Sequence, residues 1–395
     1  MLRRHLTTLI FIALLCGQVS GQNIWTQKAS MPTFGRSSCV GFSIGTKGYV
    51  GLGTNGSPQS DLWEWDQTLN SWTQKANFPG PARSEPACFV IGTKAYVATG
   101  YDGGGGSFQD LWEWDQSTNL WTPKATFGGS ARSGAIGFSI GTKGYVATGG
   151  VTGLFTNDLW EWDQTTDVWI QKSSMPDTAR VYAFGASIGT KGYIFTGLNG
   201  SYLFDINTWE WDQATDIWLQ KQDFPSTGRE LVAGFVIGDS IYLGTGIKGG
   251  PMFQDFWQWD STTNNWTQKA SFPLGPRYGA VGFSIGNKGY LSCGTDNNSF
   301  FNDLWEYTPG PTGIPKEQTN ENYLSICPNP ITDASIVEWN NEKKNESLIE
   351  IYTANGKLVK KFISENKFLL NKNDFASGIY IIQIDNTARS KFIVQ

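Results

Sequence analysis

The chain repeats itself, and the period leaves few folds open to it. A Trp recurs at Trp25, Trp72, Trp121, Trp169, Trp218 and Trp266, at steps of 47, 49, 48, 49 and 48 residues. An Arg keeps the same steps at Arg36, Arg83, Arg132, Arg180, Arg229 and Arg277. A period of that size marks a small unit that cannot bury its own apolar face, so neighbouring units must cover it. In the first unit, residues 38–44 are apolar-rich and end at Gly45-Thr46-Lys47, and residues 48–53 close on a glycine. Residues 61–66 then alternate with period two, and the polar turn 67–70 leads into 71–75 before Pro79. Alternation, aromatic enrichment and Gly/Asn/Asp punctuation read as short strands joined by hairpins. Four strands per unit at this spacing predict propeller blades.

The register also predicts how the ring closes. The sixth unit begins at Arg277, reaches Asp303-Leu304-Trp305-Glu306-Tyr307 and breaks at Pro309 without its own Trp strand. Ile24-Trp25-Thr26-Gln27-Lys28 is such a strand, without the three that should precede it. The expectation is an all-β, six-bladed β-propeller over residues 22–308, closed by this N-terminal strand, so that two sheet edges are hidden. It is expected to be a monomer.

Residues 1–21 carry a basic start, an apolar run and small residues, which is the pattern of a secretory signal peptide. Removing it would remove His5, the one histidine of the chain. Ser-His-Asp and Cys-His catalysis, and histidine-ligated metals, are then excluded, and no cofactor or metal is expected. Cys39, Cys88, Cys293 and Cys327 show no paired spacing and read as isolated buried thiols. A net charge of −5 gives no basic footprint for nucleic acid. After the first residues, no segment is long and apolar enough to span a bilayer as a helix.

The Arg before the first strand, the Gly ending the second, the Trp-x-Trp-Asp third strand and the Trp of the fourth resemble Kelch repeats over residues 23–308. The double glycine of that family is complete only at Gly149-Gly150; other units read Gly53-Thr54, Gly100-Tyr101 or Gly197-Leu198. In a four-strand meander, the arginines share a face with the loops 54–60, 101–109, 151–157, 198–206, 247–254 and 295–302. These loops vary between units, and variable loops on a rigid scaffold suit recognition. Candidate ligand-binding residues on that face are Tyr101, Phe155, Tyr202, Phe253 and Phe300, together with the six arginines. Two readings of the arginines stay open. The Kelch resemblance implies a channel-mouth ring that binds acidic groups; in the other reading each arginine satisfies blade carbonyls or pairs with an acid such as Glu64, Glu113, Glu161, Glu210 or Glu306. Asp102 and Glu230 break the repeat pattern.

Beyond a Pro/Gly-rich linker at 309–322, residues 323–395 hold short strand-like runs, enough for a small Ig-like β-sandwich. Cys327-Pro328-Asn329-Pro330, Ile351-Tyr352-Thr353-Ala354-Asn355-Gly356-Lys357, Gly378-Ile379-Tyr380 and the terminal Lys391-Phe392-Ile393-Val394-Gln395 resemble the C-terminal sorting domain of type IX secretion. That resemblance implies export by the type IX machinery to the exterior or outer surface of a Gram-negative bacterium. The expected function is a secreted binding module for an extracellular protein or glycan. The alternative is an extracellular carbohydrate-active enzyme that uses neither histidine nor metal.

Overall fold

A computed structural model of the protein describes residues 23–151, 153–310, 324–327, 329–331, 333–339, 346–365, 367–385 and 388–394. The expected signal peptide and nearly all of the expected linker lie outside them. One compact unit is Gly21–Gly310, and Pro311–Gln395 belongs to a second.

The first unit is built from six four-stranded antiparallel sheets. In the first, Val40–Ile44, Lys47–Gly51, Leu62–Asp66 and Ser71–Gln74 lie in chain order. The innermost strands of the others are Ala87–Ile91, Ile136–Ile140, Phe184–Ile188, Ala233–Ile237 and Tyr278–Ile285. Each innermost strand contacts the next, and Tyr278–Ile285 returns to Val40–Ile44, so the sheets form a closed β-propeller. Ile24–Lys28 supplies the outer strand of the last sheet. It pairs antiparallel with Leu304–Thr308 and sets Trp25 opposite Tyr307, the closure expected from the register of the repeat.

Aromatic contacts explain why every blade carries the same rings. The second Trp of each third strand is buried at Trp65, Trp114, Trp162, Trp211 and Trp259, and Tyr307 takes this place in the sixth blade. Each meets a Tyr from the second strand of the preceding blade. Tyr49 lies 5.0 Å from Trp114, Tyr96 4.8 Å from Trp162, Tyr145 5.1 Å from Trp211 and Tyr193 5.0 Å from Trp259. The ring closes with Tyr242 at 5.4 Å from Tyr307 and Tyr290 at 4.9 Å from Trp65. Burying a ring of this size is worth roughly 4–6 kcal/mol at 25 cal/mol per Å2, so these seams carry much of the cohesion between blades.

Glycine at the end of the second strand answers a backbone demand. Leu52, Thr99, Thr148, Thr196, Thr245 and Cys293 all hold positive φ, and the glycine that follows each does too. The residue after that glycine returns to extended pairing, as at Ser37–Thr54, Ser84–Tyr101 and Ser133–Gly150. Only the first glycine of the doublet is therefore required, which accounts for the incomplete Kelch doublets.

The C-terminal unit packs a sheet of Leu324–Cys327, Ala334–Trp339 and Lys367–Asn371 against one of Leu358–Ser364, Ser347–Thr353, Gly378–Ile384 and Ala388–Val394. Ile331, Val337, Trp339, Ile349, Ile351, Leu370, Tyr380, Ile382 and Phe392 form the shared core of this sandwich. Leu324–Cys327 and Lys367–Asn371 are the two short edge strands of the first sheet.

The closing strand yields a direct test. Trp25 packs on Phe256, Phe272 and Tyr307 at 4.9–5.3 Å. Trp25→Ala is expected to cost about 3 kcal/mol in chemical denaturation. Ile24→Ala, at a half-exposed neighbour, is expected to change stability by less than about 0.5 kcal/mol.

Candidate functional site

The six arginines are at most 1% exposed, and their terminal nitrogens donate inside the blades. Every one donates from Nη1 to the carbonyl sixteen residues on, from Leu52 to Cys293, at 2.8–3.1 Å. Five also grip an aspartate through both terminal nitrogens: Asp61, Asp110, Asp158, Asp255 and Asp303, with Nη2–Oδ2 distances of 2.8–3.1 Å. The fork matches a carboxylate on one side and the strained Xaa-Gly carbonyl on the other. The ligand-binding reading of Arg36, Arg83, Arg132, Arg180, Arg229 and Arg277 is therefore corrected, because these guanidinium groups are buried and their terminal nitrogens are held inside the blades.

The partner acids are corrected as well. Glu64, Glu113, Glu161 and Glu306 instead accept hydrogen bonds from the hydroxyls of Tyr49, Tyr96, Tyr145 and Tyr290. Lysines pair with several of these carboxylates, including Lys94 with Glu113 and Lys288 with Glu306.

The fourth blade solves the same problem differently. Asn207 stands where the other blades have the aspartate, and the missing charge is supplied by Asp177, with Asp205 at 3.4 Å from Arg180. The Asp177 carboxylate accepts from Arg180 at 2.5 Å, from Asn207 at 2.8 Å and from the Trp209 indole at 2.9 Å. Burial raises its pKa, but the donors from Asn207, the Thr178 backbone and Trp209, with the Arg180 charge, outweigh that and leave it below the usual value. Asp177→Ala is expected to destabilise the ring by about 2 kcal/mol, since it leaves the buried Arg180 with only the longer ion pair to Asp205 at 3.4 Å and strips Asn207 and Trp209 of their acceptor. Adding Asn207→Asp should restore most of that loss in a double-mutant denaturation cycle.

The loop aromatics divide. The Phe253 ring stacks on the Arg229 guanidinium at 3.7 Å, as Phe108 does on Arg83 at 4.0 Å and Phe301 on Arg277 at 4.1 Å. Phe253, half-buried, thus covers the internal ion pair. Tyr101 is half-buried in the bridges to Ser84 and Ser107. Phe155, also half-buried, meets Tyr202 edge-on at 5.9 Å. Tyr202 and Phe300 are exposed, at 68% and 40%. Asp102 is a turn former whose carboxylate accepts from the Gly104 and Gly106 backbone.

The residue two places after each arginine builds the centre. Ser38, Glu85, Gly134, Tyr182, Leu231 and Gly279 all hold φ between 54° and 62°. Each backbone N–H donates to the carbonyl of its counterpart in the preceding blade at 2.7–3.1 Å, and Ser38 closes the circle onto Gly279. A second circle runs from the glycine N–H of each blade to the arginine carbonyl of the next at 2.8–2.9 Å, closing from Gly294 to Arg36. Left-handed backbone costs roughly 1–2 kcal/mol at a non-glycine residue, and the closed hydrogen-bond circle holds it in place.

Those six residues line a cavity of about 140 Å3 on the channel axis. Its chemistry is carried by the unlike members. The Tyr182 hydroxyl donates to Glu85 at 2.9 Å. Burial pushes the Glu85 carboxyl above its usual range, against the pull of hydrogen bonds from Tyr182 and Ser133. Glu230 sits beside this group, and its Oε2 is buried without a hydrogen-bond partner among the described residues. Burial, reinforced by the Glu85 charge, lifts Glu230 to about 7. Sequence reasoning singled out Glu230 and missed Glu85 and Tyr182. The available signal was positional: the second residue after each arginine changes from Ser to Glu, Gly, Tyr, Leu and Gly while its surroundings repeat.

A carboxyl raised on folding binds more protons in the folded state, so its contribution to stability falls as pH climbs from its ordinary value through 7. Glu230→Gln removes that penalty. The variant is expected to exceed the unaltered protein in urea resistance at pH 8 by about 1–2 kcal/mol, allowing for partial exposure, and to show no such gain near pH 4.5.

Two family models match the chain. The Kelch motif matches residues 82–128, and the secretion system C-terminal sorting domain matches residues 325–395. No curated protein matches the sequence. Among solved structures, the chain is similar to that described as "Structure of YjhT", with a TM-score of 0.63 and 19% identity over 71% of this chain and 97% of that one. At that identity the likeness shows the fold. Among the described residues, no helix is long and apolar enough to cross a membrane. The protein is a secreted or cell-surface β-propeller that carries a Kelch motif and ends in a type IX secretion sorting domain.

Proposed function

We propose that the exported ring is a binding module for an extracellular protein or glycan, and that its recognition centre is the mouth built around Glu85, Tyr182 and Glu230. One observation carries this reading. A closed scaffold of near-identical blades departs from its repeat to place a carboxyl and a phenol on one small axial cavity, with the Glu230 carboxyl close by and one of its buried oxygens without a donor among the described residues. An orphaned acceptor of this kind costs roughly 1–3 kcal/mol, which a ligand hydroxyl or amine can repay. The exposed Tyr202 and Phe300 and the half-buried Tyr101 and Phe155 lie on the same face as the mouth and supply apolar surface for a sugar ring or side chain.

The raised Glu230 carboxyl favours a second reading. An acid near 7 beside a phenol is suited to proton transfer, and a sugar turned over in the mouth would make the protein a carbohydrate-active enzyme.

Glycan and peptide arrays probed with the purified mature protein test both readings. Glu85→Gln and Tyr182→Phe are each expected to weaken the captured ligand about tenfold or more, with the thermal midpoint held within a few degrees. Unchanged binding in both variants would overturn the mouth assignment, and conversion of an array sugar to product would favour turnover.

A further inference from the structure

Three cysteines lie in the described part of the propeller, and two of them stand at one seam. Cys39 is the third residue after its arginine, where the other blades have Pro86, Ala135, Ala183, Val232 and Ala280. Cys293 is the sixteenth, where the others have Leu52, Thr99, Thr148, Thr196 and Thr245. Each position thus turns to cysteine once in the ring. Both changes occur where the last blade, whose sheet is completed by Ile24–Lys28, meets the first.

The structure brings the two sulfurs together. Both residues belong to the apolar cluster that spans this seam, with Met31, Val50, Phe283 and Leu304. Burial and the neighbouring Cys293 thiol push the Cys39 thiol up, and the Cys39 thiol draws Cys293 down, so each side chain feels the other. The backbone on either side is clamped: the Gly294 N–H donates to the Arg36 carbonyl at 2.8 Å and the Ser38 N–H to the Gly279 carbonyl at 2.7 Å. Cys293 is fully buried, whereas Cys39 is 8% exposed and lines the axial cavity. Cys88 lacks such a neighbour among the described cysteines. Cys88 is half-buried, and the side chain of Cys327 lies outside the described residues.

We propose that Cys39 and Cys293 form an oxidation site, at which a disulfide joins the first blade covalently to the last once the protein has left the cytoplasm. The secretion sorting domain puts the chain in compartments where disulfides form and persist. The oxidant is a small-molecule or protein disulfide that enters through the axial cavity. The Cys39 thiolate attacks one oxidant sulfur, breaking that S–S bond and releasing the first thiol. The Cys293 thiolate then attacks the Cys39 sulfur of the mixed disulfide and releases the second thiol. Two electrons pass to the oxidant, and the two cysteine protons end on its thiols.

The mature protein, reduced and then exposed to oxidised glutathione, provides the test. Trapping with iodoacetamide in denaturant followed by peptide mass spectrometry is expected to show a Cys39–Cys293 cross-linked peptide, with Cys88 alkylated. Proteolysis of the oxidised protein should be about tenfold slower or more, and dithiothreitol should abolish the gain. Cys39→Ala and Cys293→Thr place at each site the residue that other blades use, so both are expected to fold and to lose the redox dependence. Alkylation of both sulfurs after oxidation, or a separate glutathione on each, would overturn the proposal. So would a redox effect that persists in either variant.

Discussion

The structure depends on a guanidinium that faces two ways. In each blade a buried arginine bonds the carbonyl of a residue forced into left-handed backbone and, in five blades, a carboxylate at the head of the third strand. This tie fixes the end of the second strand relative to the start of the third, and so fixes the loop between them. It also positions the glycine whose N–H reaches the next blade. A lysine could neutralise the charge but could not hold a carbonyl and both carboxylate oxygens in one plane. The fourth blade shows that the requirement is electrostatic rather than positional: when Asn207 replaces the aspartate, Asp177 supplies the charge from another loop.

Such a frame separates stability from recognition. Tyr–Trp seams and arginine ties repeat from blade to blade, while the second residue after each arginine is held by backbone bonds alone. Its side chain can vary without loss to the frame, and that freedom lets Glu85 and Tyr182 meet at the axis.

The architecture was legible because it is periodic. Trp25 without a preceding meander and Tyr307 without a following one announced their own pairing. The site was less legible because the side chains that meet there are far apart in sequence and come together only through ring closure. Glu85 and Tyr182 are 97 residues apart. The arginines misled for a related reason. An exposed cation and a buried one look alike in a repeat, and the deciding aspartates sit 25–27 residues downstream in strand heads that read simply as Asp-Leu-Trp. Phe253 shares that ambiguity, since a loop aromatic is as good a lid for a guanidinium as a platform for a ligand.

The pairing of Ile24–Lys28 with Leu304–Thr308 has a kinetic consequence. It joins segments nearly the whole propeller apart in sequence, so its loop-closure entropy is the largest of any strand pair in the ring. Early blades can form their meanders locally, but their backbone circles stay open until this last, high-contact-order step. A chain emerging from a ribosome or a translocation pore thus carries an unsatisfied edge at its front for as long as its sixth blade is missing. The ring matures only after the whole propeller segment has emerged.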